Sequence, residues 1–112
     1  MNTNTVSPVV DLVQRARVAQ QILNGYSQEQ VDLLVQSVAW AILEPNRNRE
    51  LAELAVRDTG LGNAEDKFKK NHRKTLGLVR DLRRAKTVGL ISHNPTTGIS
   101  EYARPVGVVA AI

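Results

Sequence analysis

The sequence predicts an α/β protein that is incomplete within its 112 residues. Apolar residues recur with i, i+3, i+4 and i+7 spacing through most of residues 8–86, which predicts amphipathic helices. From residue 87 the pattern changes to two short strands around a turn. The final run, residues 106–112, is apolar without alternation, as in a buried strand of a parallel sheet. Because nothing follows to pair with it or cover it, we expect the sequence to stop partway into a larger α/β domain.

The first helix is predicted to begin at Ser7, whose hydroxyl can cap free backbone N–H groups, with Pro8 at the first helical position. We expect Gly25 to end this helix in the left-handed conformation. The residues near i, i+3, i+4 and i+7 spacing in this helix are Val9, Leu12, Val13, Ala16, Ala19, Gln20 and Leu23.

Capping residues also mark the next two helices. Ser27 and Gln30 are spaced as a capping box and predict the start of the second helix. Pro45 either ends this helix or begins the third, which is predicted over residues 47–59 and closed by Gly60. The second helix carries the stripe Val31, Leu34, Val35, Val38, Ala41 and Ile42, with Trp40 on its flank. The third is expected to turn Leu51, Leu54 and Ala55 inward.

The fourth helix is predicted to start after Asn63, which can act as its cap, with Asp66 at the capping-box position. Glu65 and Asp66 in the first turn suit the positive end of the helix dipole. The expected buried side comprises Phe68, His72, Thr75, Leu76, Val79 and Leu82. A hairpin follows, with strands predicted over residues 87–91 and 99–104 and a turn over residues 94–98.

The net charge of +4 is concentrated in residues 65–86, which hold nine of the 15 bases and three of the 11 acids. One interpretation is a surface that binds phosphates of nucleic acid or of a cofactor. The other is a solvated or partner-facing helix surface, which is favoured because Tyr26, Trp40 and Tyr102 do not interleave with the bases as stacking partners would. The nine bases are Lys67, Lys69, Lys70, Arg73, Lys74, Arg80, Arg83, Arg84 and Lys86.

Other candidate sites are weak. Neither His72 nor His93 has a second residue at metal-ligand spacing, so we predict no metal site and only structural roles for both. Gly60 and Gly62 follow a helix, whereas a dinucleotide fingerprint follows a strand and continues to a third glycine. There is no cysteine, which excludes a cysteine nucleophile within these residues. With no signal peptide and no span of about 20 apolar residues, we expect a cytoplasmic protein without membrane association.

Several stretches resemble the CoA-acylating branch of the aldehyde dehydrogenase superfamily. Residues 51–63, LAELAVRDTGLGN, resemble the stretch ELAVxETGMGxxEDKxxKNH of that branch, and Glu65-Asp66-Lys67 and Lys70-Asn71-His72 continue the match in register. Residues 27–32 and 86–89 also resemble the branch. Residues 71–78, followed by Arg80-Asp81-Leu82, are most similar to acylating sulfoacetaldehyde dehydrogenases.

The resemblance implies an amino-terminal fragment of an enzyme that converts an aldehyde, sulfoacetaldehyde as the best guess, and CoA to an acyl-CoA. The reaction would reduce NAD or NADP and use a cysteine thioester not present in this chain. It also implies a helical segment (1–86), a hairpin arm for homo-oligomer formation (87–104) and an incomplete first strand of a Rossmann-like cofactor domain (105–112). No catalytic residue carries over. Ile112 aligns with the strand end that walls the dinucleotide site, or is only a core strand residue.

Two alternatives to an enzyme fragment are a small basic helical protein that binds nucleic acid and a stand-alone oligomerisation module. Nucleic-acid binding driven by phosphates would weaken steeply as salt rises. Folding that depends on concentration would instead favour the oligomerisation module. With the enzyme interpretation, we expect the partners to be a small aldehyde, CoA and further copies of the chain, and not nucleic acid.

Overall fold

The computed structural model describes residues 7–111, and it confirms the predicted mixture of helices and strands. The elements are α1 (Pro8–Leu23), α2 (Gln28–Leu43), α3 (Pro45–Thr59), α4 (Ala64–Leu82), β1 (Gly89–Asn94) and β2 (Ile99–Ala103). Two compact units divide the described chain. One contains residues 7–31 and 86–111, and the other contains Asp32–Ala85.

The ends of α1 differ from the prediction. Pro8 occupies the first turn, but the Ser7 side chain makes no capping bond, and only its carbonyl accepts the N–H groups of Val10 and Asp11. Gly25 is not left-handed. The helix ends in tightening turns because its last carbonyls are satisfied by nearby N–H groups, including that of Gly25 on the Ile22 carbonyl at 3.1 Å.

The predicted capping box at the start of α2 is confirmed. The Ser27 N–H donates to Oε1 of Gln30 at 2.9 Å, and the Gln30 N–H donates to Oγ of Ser27 at 3.2 Å. Pro45 begins α3 rather than ending α2, and Glu44 caps that helix through its carboxylate. Helix α3 therefore starts two residues earlier than the sequence predicts.

The turn between α3 and α4 follows the predicted chemistry. Gly60 ends α3 with a φ of 66°, in the left-handed region that favours glycine. Oδ1 of Asn63 accepts the Asp66 N–H at 2.8 Å and caps α4. The side chain of Asp66 completes the contact, since its Oδ2 accepts a hydrogen bond from Nδ2 of Asn63 at 2.7 Å.

The interior between α3 and α4 differs from the expected one. Asn48 and Ala52 are fully buried, whereas Leu51 and Leu54, predicted to face inward, are 41% and 37% exposed. The side chains of Asn48 and Ala52 are compact and lie one turn apart on α3, so α4 can approach closely. The longer leucines fall on the flanks. On α4, the side predicted to be buried is only partly so. Phe68, Thr75 and Val79 are half-buried, whereas His72, Leu76 and Leu82 are exposed.

The hairpin is confirmed, with β1 and β2 antiparallel and a bulge between Leu90 and Ser92. Oδ1 of Asn94 accepts the N–H groups of Thr96 and Thr97, and Gly98 adopts a φ of 71°. The side chain of Asn94 therefore builds the predicted turn. Strand β1 begins two residues later than predicted and extends to Asn94.

The predicted strand over residues 105–112 is not observed in its described part, residues 105–111. Gly107 has a φ of 96°, which lies outside the β region, and Val106 is 91% exposed. No strand among the described residues pairs with this segment, so nothing holds it extended. None of the helices within residues 7–111 combines the length and hydropathy that a membrane span needs.

Candidate functional site

The hairpin is the most accessible element of the unit formed by residues 7–31 and 86–111. Every residue of β1 is exposed, and in β2 only Ala103 is half-buried. A two-stranded sheet with both faces open is marginally stable by itself. Its outer edges also carry free backbone groups that can pair with another strand. This geometry suits a surface that another polypeptide segment covers.

The base of the hairpin is tied to the start of α2 by Gln28. Its Nε2 donates to Oγ1 of Thr87 at 2.7 Å, and its Oε1 accepts the Thr87 N–H at 2.8 Å and the Val88 N–H at 3.0 Å. The partners are 59 and 60 residues apart in sequence. A contact between Gln28 and residues 87 and 88 could not be predicted from the sequence, because periodicity cannot indicate a contact over that separation.

A cleft of about 640 Å³ lies beside this contact, within the same unit. Tyr26 and Tyr102 contribute aromatic rings, and Arg104 contributes a positive charge. Clefts of this size can hold small ligands. The other lining residues are Leu23, Asn24, Val31, Thr87, Val88, Gly89, Ala103 and Pro105.

The basic helix forms a shallow depression of about 660 Å³ on α4, in the unit of Asp32–Ala85. Four bases line it, together with Asp66 and Asp81, and no aromatic residue is among its lining residues. Acids near the bases weaken their attraction for phosphates, and stacking platforms are missing from this lining. The geometry therefore favours a solvated or partner-facing surface. The four bases are Lys69, Lys70, Arg73 and Lys74.

Glu65, in the first turn of the same helix, is paired with bases on two sides. Its Oε2 accepts NH1 of Arg49 at 2.9 Å, and its Oε1 lies 3.8 Å from Nζ of Lys69. The hydrogen bond from the Arg49 side chain, with the charge of that guanidinium, lowers the pKa of Glu65. Arg49 also lies over the Phe68 ring, 4.3 Å from its centroid.

The two histidines lie in separate settings. His72 is exposed beside a hollow lined by Leu43, Pro45 and Phe68. Nδ1 of His93 lies 2.8 Å from Oγ of Ser100, across the hairpin. Within residues 7–111, no group of three or more metal-ligating side chains converges.

The glycine pair at residues 60 and 62 does not have the setting of a dinucleotide fingerprint. Gly60 and Gly62 both have positive φ, but their turn joins two helices instead of a strand and a helix. Ile112, the one residue predicted to contact the cofactor, lies outside the described residues.

An apolar groove of about 440 Å³ lies between α2 and α4. It is lined almost entirely by aliphatic side chains, with Lys74 and Thr75 as the exceptions. Several of these are substantially exposed, including Val38 at 56% and Leu78 at 60%. Exposed apolar surface of this kind marks a site of association or of further packing. The aliphatic lining comprises Leu34, Val35, Val38, Ala39, Ile42, Leu78, Val79 and Leu82.

Comparison with known sequences shows that the chain is similar to a part of several acylating aldehyde dehydrogenases. It is 60% identical over 93% of its length to a sulfoacetaldehyde dehydrogenase (acylating) of Cupriavidus necator. A protein of the same name from Bilophila wadsworthia is 47% identical over 96% of the chain. A succinate-semialdehyde dehydrogenase (acetylating) of Clostridium kluyveri is 40% identical over 97%. The matches cover only 21%, 23% and 23% of these relatives, and no protein-family profile matches the chain.

Proposed function

We propose that this chain is the helical segment and hairpin arm of an acylating aldehyde dehydrogenase. The observation that carries the proposal is the 60% identity, over 93% of the chain, to a sulfoacetaldehyde dehydrogenase (acylating). The exposed hairpin and the open α2–α4 groove support it, because both are surfaces suited to cover by further polypeptide. Under this proposal the segment contributes packing and association, and the reacting groups lie elsewhere in the enzyme.

The reaction of the whole enzyme would join an aldehyde to CoA, with reduction of NAD or NADP. A cysteine thioester would carry the acyl group, and this chain has no cysteine to form it. Sulfoacetaldehyde is the proposed aldehyde, because two relatives at 60% and 47% identity carry that substrate in their names. The enzyme would act in the cytoplasm, as a homo-oligomer.

A Rossmann-like cofactor domain is proposed to begin with the apolar run of residues 105–112. Val106 and Val109 are strongly exposed, and this run would become a strand once neighbouring strands supply its hydrogen bonds. Ile112 would then stand at the carboxyl end of that strand, where dinucleotides bind in open α/β sheets.

The experiment that tests the proposal is expression of the whole reading frame that encodes this chain, followed by an assay of NADH and NADPH formation. We expect reduction of one nucleotide that requires both sulfoacetaldehyde and CoA. Acetaldehyde and succinate semialdehyde should react more slowly. A reading frame that encodes no cysteine would contradict the assignment. So would an expressed protein that does not reduce either nucleotide in a CoA-dependent way.

A parallel measurement separates the enzyme proposal from nucleic-acid binding by the basic helix. The chain should show no saturable binding of a duplex DNA at physiological salt. Affinity that falls steeply with rising salt would instead favour a phosphate-binding role for Lys69, Lys70 and Arg73.

A further inference from the structure

Gln28 makes a set of long-range contacts that its position at a helix start does not require. The capping of α2 is already provided by Ser27 and Gln30, which bond reciprocally. The Gln28 amide instead donates to Oγ1 of Thr87 and accepts the N–H groups of Thr87 and Val88. A single planar side chain thus satisfies two successive backbone N–H groups and one hydroxyl.

The two N–H groups lie just before the hairpin ladder. Strand β1 begins at Gly89, so Thr87 and Val88 have no strand partner within the described residues. The Gln28 carbonyl oxygen takes the place of such a partner at the entry to β1. Gly89 follows with a φ of 73°, a conformation that turns the chain sharply. The direction of β1 is therefore set by the contacts of Gln28 with residues 87 and 88 and by the turn at Gly89 immediately after them.

The fixed point is itself well anchored. Gln28 stands in the first turn of α2, between the two residues of the capping box, so its backbone is held in place. Val88 is half-buried in the same unit, and its N–H bond to Gln28 is partly shielded from water. Shielding strengthens a hydrogen bond because water competes less for its groups.

We propose that Gln28 is the positioning residue that sets the direction in which the hairpin leaves the start of α2. This inference rests on the proposed function of the hairpin as an association arm. An arm with no buried residue of its own presents a defined surface only if its base is fixed. Loss of the Gln28 amide would leave the hairpin formed but free to swing about residues 86–88.

The test uses the absence of cysteine, which lets two introduced cysteines be spin-labelled without background. Gln21→Cys on α1 and Thr96→Cys at the hairpin tip are exposed positions in the same unit. Electron–electron distance measurement on the 112-residue chain should give one narrow distribution. Gln28→Ala should broaden it severely, whereas the matched control Gln14→Ala, an exposed glutamine without a side-chain hydrogen bond in residues 7–111, should not.

A conservative variant keeps the test decisive if Gln28→Ala also loses helix content. Gln28→Glu retains an oxygen for the two N–H groups, and the Thr87 hydroxyl can donate to the carboxylate, so we expect the narrow distribution to return. Thr87→Val, which removes only the hydroxyl contact, should broaden the distribution less than Gln28→Ala. An equally narrow distribution in Gln28→Ala and the parent overturns the inference. So does a distribution for Gln28→Glu as broad as that for Gln28→Ala.

Sedimentation of the same variants separates this inference from the proposed function. If the arm mediates association, Gln28→Ala should weaken self-association relative to Gln14→Ala. If the distances broaden as expected but a hairpin deletion leaves self-association unchanged, Gln28 positions the hairpin and the association role is wrong. If the hairpin deletion abolishes association while Gln28→Ala changes neither distance nor association, the arm role stands and the Gln28 inference is wrong.

Discussion

Between α3 and α4 the side chain of Asn48 is completely buried, whereas no residue of β1 or β2 is buried. Nδ2 of Asn48 donates to the Phe68 carbonyl at 3.0 Å, and its Oδ1 accepts Nδ2 of Asn71 at 2.9 Å. In the hairpin, Ser92 bonds to Glu101 in solvent. The two regions therefore contain similar polar contacts in opposite environments.

The two regions are therefore stabilised in different ways. A buried amide network fixes the register of the helix pair because any shift would leave a buried polar group without a partner. Exposed bonds in the hairpin compete with water and contribute little. The register of the helix pair is thus fixed by hydrogen bonds in its own interior. The hairpin has no buried residue of its own, and its base is held by the hydrogen bonds of Gln28 to Thr87 and Val88.

The largest expected effect comes from breaking the buried network with Asn48→Leu. Leucine has the same branched skeleton as asparagine, with larger methyl groups, and it leaves Nδ2 of the partly buried Asn71 without its acceptor, which costs about 1–3 kcal/mol. Urea unfolding followed by far-UV circular dichroism measures the loss. Asn46→Ala is the control, since that side chain is exposed and makes no hydrogen bond within the described residues.

A double variant tests whether the amides of Asn48 and Asn71 stabilise the helix pair as a unit. Asn48→Leu combined with Asn71→Leu removes both ends of the bond, so the combined loss in the free energy of unfolding should be smaller than the sum of the single losses. Strictly additive losses would show that the two amides do not act as a unit. An effect of Asn48→Leu no larger than that of Asn46→Ala would remove the contrast with the hairpin.

Two glycines test the backbone in each region. Gly60 and Gly98 have φ values of 66° and 71°, and a Cβ at either would meet no atom within 4 Å. Alanine at each position should therefore cost only the left-handed conformation, about 1–2 kcal/mol. Gly60→Ala should lower the helical unfolding midpoint. Gly98→Ala should leave that midpoint unchanged and accelerate amide exchange in β1 and β2.

Exchange that is equally slow in Gly98→Ala and in the parent would mean that the hairpin tolerates the strained turn. A lowered helical midpoint in Gly98→Ala would mean that the hairpin and the helix pair unfold together. Either result would contradict the expectation that the hairpin and the helix pair unfold separately.

Local chemistry explains which parts of the fold the sequence could predict. The capping box of Ser27 and Gln30, the stop at Gly60 and the cap at Asn63 each depend on residues within one turn. The hairpin turn depends on Asn94 and its next neighbours. Such features follow from residue type and spacing, and the structure confirms them.

Long-range contacts explain which parts of the fold the sequence could not predict. Polar Asn48 was not expected inside, because its burial depends on partners 20 and 23 residues away. Leu51 and Leu54 were placed inward by periodicity, but the one-turn spacing of Asn48 and Ala52 sets the interface. Gln28 carried no signal of its own, since its partners lie in another element.

Two serines before helices offer a smaller test. Ser27 makes a side-chain capping bond and Ser7 makes none. Ser27→Ala should lower the free energy of unfolding by about 1 kcal/mol, whereas Ser7→Ala should change it little. Thermal unfolding of the two variants measures the contrast. Equal losses would show that the hydroxyl of Ser27 does not stabilise α2.

The smallest expected effect is the pH dependence of the cap on α3. Glu44 accepts the N–H groups of Arg47 and Asn46, and these bonds to its charged form lower the pKa of Glu44. A carboxyl whose pKa is lowered on folding stabilises the protein fully above its ordinary pKa. That contribution is lost as the pH falls through the lowered value. The urea midpoint of Glu44→Gln should therefore lie below that of the parent at neutral pH, with the gap closing in acid.

Salt distinguishes Glu44 from the second carboxyl with a lowered pKa. Glu65 owes its shift first to the Arg49 side chain, an exposed ion pair that salt screens, whereas Glu44 is held by backbone N–H groups at a helix start. High salt should reduce the effect of Glu65→Gln more than that of Glu44→Gln. Glu53→Gln is the control, because Glu53 is exposed and unbonded within residues 7–111. A gap for Glu44→Gln that is constant from neutral to acidic pH would show that the carboxylate charge does not stabilise α3.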